Sequence, residues 1–257
     1  FDITFSDEDE AEKTAYTTSW GLSWRAIGAL VMSHSDDQGL VLPPTVAPKQ
    51  VVIVPIWQED TKDDVEQYCA EVAAELEAQG VRVHFDDRDG RNPGFKFNEW
   101  ELKGVPVRFE IGPNEVEDEE VTVVHRPDGE STVEDRADVT ASVHDHLDEV
   151  YDKLYDAAAE RLDENVREAD DRADILGTIG QHGGYVKAPW CGDEDCEGEI
   201  KDQIAAEIVM VPLGEESAAR AASEFEGDRV PEPDHEGEDC AVCGDDAEQT
   251  AYFAKSY

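Results

Sequence analysis

Two pairs of cysteines carry the most specific chemistry in this chain. Cys191 and Cys196 have four residues between them, Cys240 and Cys243 have two, and 43 residues separate the pairs. Two thiolates a few residues apart can chelate from one tight turn, and two such turns make a tetrahedral all-sulfur site for Zn2+. Gly192, Gly198 and Gly244 permit those turns. With every position filled by sulfur there is no opening for water, so the expected ion is structural rather than catalytic. Two alternatives stand beside this one: free or disulfide-linked thiols, and replacement of one sulfur by His235, close to Cys240. An odd total of five cysteines, four of them paired in this way, argues against a secreted disulfide framework and for a reducing compartment.

Residues 82–108 are a second concentration of reactive types. Six basic residues (Arg82, Arg88, Arg91, Lys96, Lys103, Arg108) meet five acidic ones there, in a chain whose formal net charge is -43. So negative a protein repels polyanions as a whole. Cations gathered beside Phe95, Phe97 and Trp100 therefore point to a local anionic or stacked-base ligand, the alternative being a solvated strand and helix with balanced charge. A third candidate is Arg25, delivered to the start of a helix by the Ser19-Trp20-Gly21 turn. Backbone amides and a helix N-terminus favour anions and a guanidinium stacks on a base, so this is a place to hold a nucleotide; the alternative is a plain strand-to-helix turn with Arg25 in solvent.

The elements that must position these residues follow from periodicity. Residues 1–5 and 14–18 alternate as a strand pair joined by an acidic turn, and 24–33 have helical spacing at Trp24, Ile27, Leu30 and Val31. Three prolines within residues 41–48 make a stiff, extended linker and a domain boundary. Residues 51–56 form a continuous apolar run suited to a buried parallel strand. Val65, Cys69, Val72 and Leu76 line one face of a helix that ends before Gly80, which makes Cys69 a core residue. Strands at 81–85, 105–111 and 121–126 and a helix at 93–102 complete an α/β unit whose loop 86–94 lies at a strand C-terminal end, free for a ligand. From Val139, apolar residues recur at three or four spacings through Val166, which predicts one long amphipathic helix leading to a separate unit from about residue 173.

Composition narrows the class. At 257 residues, two or three domains are expected. The 64 acidic residues are spread along the chain against 21 basic ones, the pattern of a protein adapted to a cytoplasm of multimolar salt. At ~1 M salt the Debye length is only about 3 Å, so self-repulsion is mild there and severe in dilute buffer, and the protein is expected to loosen at low salt. No apolar run approaches the ~20 residues of a membrane span, and no secretory leader is evident, so a soluble, cytoplasmic protein is expected. The first residue is Phe rather than Met, consistent with a portion of a longer protein.

The segments Thr17-Thr-Ser-Trp-Gly-Leu-Ser-Trp-Arg25, Asp36-Asp-Gln-Gly-Leu-Val-Leu-Pro-Pro44, Ala47-Pro-Lys-Gln-Val-Val-Ile-Val-Pro55, Pro93-Gly-Phe-Lys-Phe97 and Trp100-Glu-Leu-Lys-Gly-Val-Pro106, in this order and followed by Gly183-Gly-Tyr185, the four cysteines and a final Tyr257, resemble prolyl-tRNA synthetases of the archaeal and eukaryotic-like type. The acidity points to one from an extreme halophile. The resemblance implies an α/β chain in four parts: residues 1–48, the end of a class II catalytic domain; 49–135, an anticodon-binding domain with a mixed sheet; 136–172, a connecting helix; and 173–257, an α+β zinc-containing C-terminal domain.

The same resemblance implies roles. Residues 17–25 would be class II motif 3, with Arg25 holding ATP, Ser23 beside it, and Trp20 and Gly21 bordering the proline pocket; Trp24 departs from the small residue usual before that arginine. Arg88, Lys96, Glu101 and Lys103 match the positions that meet the proline anticodon, whose shared bases are two guanines, and arginine, lysine and carboxylate suit guanine edges. Tyr257 would fold back towards the catalytic domain. The parent protein would form prolyl-adenylate from proline and ATP with Mg2+, transfer the prolyl group to tRNA(Pro), and work as a homodimer. These residues alone would be inactive without the upstream motifs. The rival reading is a non-catalytic tRNA anticodon-binding module, which would have no reason to carry motif 3.

Overall fold

The computed structural model describes residues 3–212 and 238–255; His235 and Tyr257, and with them the alternative metal ligand and the folded-back terminus, lie outside the described residues. Two compact units divide at residue 155, Phe1–Tyr155 and Asp156–Tyr257.

The first unit opens with a hairpin of β1 (Thr4–Ser6) and β2 (Glu12–Thr14). The second strand begins two residues earlier than the alternation predicts. Asp7 explains this: its Oδ1 accepts from the amides of Asp9 and Ala11, both at 2.9 Å, and closes the turn just before Glu12. Helix α1 (Arg25–Ser33) follows, then a small hairpin of β3 (Ser35–Asp36) and β4 (Gly39–Leu40).

The main sheet is built from β5 (Val51–Pro55), β6 (Val83–Phe85), β7 (Val107–Ile111), β8 (Glu120–His125) and β9 (Ser131–Asp135). Its order is β6-β5-β7-β8-β9, with β5 parallel to both neighbours and the β7–β8 and β8–β9 pairs antiparallel, so the sheet is mixed as expected. All five residues of β5 are buried because both faces of the central strand are covered. On one face Val51 and Ile53 pack with helix α2 (Lys62–Ala78), through Val65, Cys69, Val72 and Leu76, and with Val139, Val143, Leu147 and Val150. On the other, Val52 and Val54 meet Trp100 of helix α3 (Pro93–Leu102). A short helix α4 (Pro113–Asp118) joins β7 to β8.

The predicted continuous helix from Val139 is broken. Helix α5 (Arg136–Ala141) ends at Ser142, whose amide and Oγ both donate to the Asp138 carbonyl at 2.9 and 2.8 Å, and helix α6 (Val143–Asn165) starts afresh. Serine competes for backbone acceptors and so ends helical runs. The apolar stripe is buried at Val143, Leu147 and Val150, whereas Leu162 is exposed. Val166 is not helical but opens a strand.

Residues 41–47 are packed rather than loose. Val41, Leu42 and Ala47 are buried, and the Arg82 guanidinium donates to the carbonyls of Pro44 and Ala47 at 2.7 and 3.0 Å. The β3–β4 hairpin presses on the end of α3 so closely that glycine is required on both sides. A Cβ on Gly39 (φ +137°) would lie 2.4 Å from Leu102 Cα, and one on Gly104 (φ +70°) 2.6 Å from Leu40 Cβ.

The second unit has its own four-stranded sheet of β10 (Val166–Glu168), β11 (Tyr185–Trp190), β12 (Ala206–Met210) and β13 (Gln249–Lys255), in the order β10-β11-β13-β12. Helices α7 (Arg172–His182) and α8 (Glu194–Ile204) supply Ile175, Ile179 and Ile200 to a core with Val186, Ala188, Ala251 and Phe253. This unit is α+β.

Candidate functional site

In the second unit the chain brings all four cysteines of the two pairs together. Cys191 directly follows β11, Cys196 lies in the first turn of α8, and Cys240 and Cys243 sit in the turn before β13. That turn is fastened to β11 by Ala241 N–H to the Pro189 carbonyl and Glu248 N–H to the Trp190 carbonyl, both at 3.0 Å. Gly192 and Gly244 take φ of +85° and +80°, the left-handed backbone that the two tight turns need.

The four sulfurs all lie within 4.8 Å of one another, with Cys191 Sγ 3.6 Å from Cys196 Sγ and 3.7 Å from Cys243 Sγ. A disulfide would bring sulfurs to about 2.05 Å, so these are thiols. A tetrahedron with Zn–S of about 2.3 Å has edges of about 3.8 Å, which these separations fit. Electrostatics agree. Burial and the neighbouring sulfurs push the Cys196 thiol up, while at Cys240 burial is outweighed by backbone amides of Cys243, Val242 and Cys191, which hold it down at about 7. Crowded thiols cannot all ionise unless a cation compensates them. The cluster could hold a zinc ion.

The second site is at the carboxyl edge of the parallel strands of the first unit, the edge where α/β sheets carry ligands. At its centre is Asp86, just after β6 and fully buried. Its Oδ1 accepts from Arg88 Nε at 2.8 Å and its Oδ2 from Arg88 Nη2 at 2.7 Å and Trp100 Nε1 at 2.8 Å. Burial opposes ionisation here, but these bonds and the nearby Lys96 ammonium outweigh it and hold the carboxyl well below its usual range.

Lys96, one turn into α3, is 2% exposed; its Nζ donates to the Asp86 carbonyl at 2.8 Å and lies 3.8 Å from Asp86 Oδ1. Arg88 also holds Glu99 at 2.7 Å, and Glu99 holds Lys103 at 2.7 Å, with the Lys103 ammonium 4.3 Å above the Trp100 ring. Arg88, Lys96 and Lys103 thus belong to one network around Asp86 and Glu99. Glu101 stands outside this network. It accepts from Arg108 Nη1 at 2.9 Å and lines a separate cavity of about 190 Å³ with Arg108, Asp36 and Arg126. There Arg126 grips Asp36 at 2.7 and 2.8 Å and holds its carboxyl at about 2.

The open part of the surface joins Arg91, Phe95 and Lys96 of the basic segment to Trp57, which sequence reading did not select. A cleft of about 390 Å³ is lined by Pro55, Trp57, Asp89, Arg91, Asn92 and Lys96, among others. Arg91 lies 4.3 Å above the Phe95 ring, and Lys62 sits 4.8 Å above Trp57 while bonding Asp89. The usable signal was Trp57, a large aromatic directly beyond the end of a buried parallel strand.

Residues 17–25 are separately placed. Arg25 is the first residue of α1 and exposed, its amide donating to Ser23 Oγ at 3.3 Å; Trp20 and Trp24 are exposed as well. Leu22, Ile27 and Met32 share this exposure, so the segment presents an uncovered apolar surface. Among the described residues no helix is long and apolar enough to cross a membrane.

Two family descriptions match the chain, "Anticodon binding domain" over residues 50–153 and "Prolyl-tRNA synthetase, C-terminal" over residues 173–257. Fold, cysteine cluster and matches together define the class: the C-terminal part of an aminoacyl-tRNA synthetase. The proline--tRNA ligase of Halobacterium salinarum is 91% identical over all 257 residues, that of Haloarcula marismortui 65% and that of Thermococcus kodakarensis 37%. The chain covers 51%, 50% and 50% of these relatives, about half their length. The crystal structure of prolyl-tRNA synthetase from Cryptosporidium parvum complexed with L-proline and AMP is similar over 99% of this chain and 50% of its own, at 35% identity and a TM-score of 0.83. The chain belongs to the prolyl-tRNA synthetases, of which it is a C-terminal portion.

Proposed function

We propose that the protein to which this chain belongs is a cytoplasmic, halophilic proline-tRNA ligase, which activates proline with ATP and Mg2+ and transfers the prolyl group to tRNA(Pro). In this reading residues 49–135 bind the anticodon, residues 136–172 connect, and residues 173–257 are a domain clasped by structural Zn2+ on Cys191, Cys196, Cys240 and Cys243. Residues 1–48 end the catalytic domain: Arg25 holds ATP with Ser23 beside it, and Trp20 and Gly21 border the proline pocket. A homodimer is the expected assembly.

The observation that carries the reading is the cation and aromatic surface around Asp86 at the carboxyl edge of the main sheet, in a molecule of charge -43. Elsewhere the field repels tRNA. Here Arg88 and Lys103 keep part of their surface exposed, at 42% and 48% of the side chain, and Arg91 stacks on Phe95 with its guanidinium available to a base. Lys96 forms the floor of the cleft rather than its rim and orders Asp86, while Glu101 is reached from the neighbouring cavity.

The test is binding of tRNA(Pro) transcripts in about 2 M KCl, which screens the acidic surface. The native transcript should bind more tightly than one with both shared anticodon guanines replaced. Arg91→Ala, which leaves the Asp86 network intact, should cost about 1–3 kcal/mol, or roughly tenfold to a hundredfold, against the native anticodon. Equal binding of both transcripts, or an Arg91→Ala variant that binds like the parent, would overturn the anticodon assignment.

A further inference from the structure

A second group of metal-ligating side chains lies in the first unit, away from the cysteines and from the cleft around Asp86. We propose that His125, His146 and Glu149 form a binding site for a divalent transition-metal ion of the Zn2+ type on the anticodon-binding domain, at the seam between β8, β9 and α6.

The ligand atoms of the three residues lie within 4.8 Å of one another. His125 is the last residue of β8 and buried at 6% exposure, and His146 is in the first turn of α6 with its side chain 12% exposed. Glu149 lies one turn further along α6, on the same face as His146 and open to solvent. A strand end and a helix face thus converge from elements packed on a common core, and the entry side is supplied by an exposed carboxylate.

His125 Nε2 and His146 Nδ1 are 3.2 Å apart. Two imidazole nitrogens on a tetrahedral ion at about 2.0–2.1 Å are separated by about 3.3 Å, so the pair has the bite of a chelate without rearrangement. Behind it, Glu134 Oε2 accepts from His146 Nε2 at 3.2 Å. With that bond donated from Nε2, Nδ1, the atom facing His125, is the one that offers a lone pair, which is the arrangement carboxylates impose behind metal-bound histidines.

A cation already stands beside this place, on the other nitrogen of the His125 ring. Lys153 Nζ lies 3.4 Å from His125 Nδ1 and pairs with Asp128, Glu130 and Glu149 at 2.8, 2.8 and 2.9 Å. Four carboxylates, those three and Glu134, therefore face one ammonium and the two imidazoles. The balance favours a dication. When an ion takes His125 Nε2, the imidazole carries its proton on Nδ1, and Lys153, 3.4 Å from that nitrogen, withdraws onto Asp128 and Glu130.

The experiment uses the full chain in about 2 M KCl, to suppress loose cation binding by the acidic surface, with Zn2+ as the probe and metal analysis after equilibrium dialysis. The quantity read is the difference between variants, which is independent of how many ions the cysteines hold. The wild type should retain one Zn2+ more than His146→Gln and bind it at least tenfold more tightly than Glu149→Gln does. Lys153→Met, which removes the resident ammonium, should bind it at least tenfold more tightly than wild type. Equal Zn2+ affinity of wild type, Lys153→Met and Glu149→Gln would overturn the proposal, and that comparison holds even where His146→Gln fails to fold. So would a Lys153→Met variant with no gain in affinity, because a purely structural cluster predicts no change there.

Discussion

Replacing Asp86 by asparagine should damage the first unit far more than a one-atom change suggests. The carboxylate has no exposure, and its two oxygens accept from Arg88 Nε and Nη2 and from Trp100 Nε1, with the buried Lys96 ammonium 3.8 Å away. An amide keeps one acceptor oxygen and points two N–H donors where acceptors are needed, so at least one donor loses its partner and a second faces another donor. Each buried unsatisfied group costs about 1–3 kcal/mol. Lys96 is then left 2% exposed beside a neutral side chain, the situation in which breaking a buried pair costs about 3–5 kcal/mol. The two costs describe the loss of one carboxylate and overlap, so the expected loss is about 3–5 kcal/mol, a large share of the ~5–15 kcal/mol that holds a domain together. Urea denaturation in about 2 M KCl, followed by fluorescence, should show the midpoint lower by roughly 2 M for a slope near 2 kcal/mol per M. Lys96→Met, which removes the ammonium and leaves an apolar stem, should cost less. The double variant should recover part of the Asp86→Asn loss, because it no longer buries an uncompensated charge. A loss below about 1 kcal/mol for Asp86→Asn, or strictly additive effects, would refute the argument.

The same carboxylate makes an acid prediction. Its ionised form is favoured by folding, so its stabilisation is fully present above the unfolded value of about 3.9 and is lost as pH falls towards the lower folded value. The wild-type advantage over Asp86→Asn in urea midpoint should be constant from pH 7 to about 5 and shrink below about 4; an advantage that grows on acidification would contradict the sign. At the cysteine cluster, chelation should release one Zn2+ per chain and make four thiols reactive together, and Cys240→Ser should lose the ion and lower the melting temperature of the second unit. Four thiols that react freely before chelation would exclude the metal.

Local spacing was enough to read several elements. The apolar run of β5, the stripe of Val65, Cys69, Val72 and Leu76, and the helix beginning at Pro93 each repeat a period that one stretch of chain displays by itself. The cysteine pairs were legible for a related reason: chelation from a tight turn is a short-range geometry, and two such turns need only be brought together. The break at Ser142 was not legible, because the apolar spacing continues across it while the Ser142 hydroxyl, donating to the Asp138 carbonyl, decides the matter.

Tertiary structure decided what the charged residues do. In sequence Lys96 is one cation among six between residues 82 and 108; in the fold it is the buried partner of Asp86, whereas Arg91 on Phe95 and Trp57 supply the open surface. His125 and His146 are 21 residues apart and meet because β8 ends where α6 begins its first turn against the sheet. Sequence shows which side chains are available and the period on which they lie. Which acid meets which base depends on strand register and helix docking, and those are set by contacts between segments far apart in the chain.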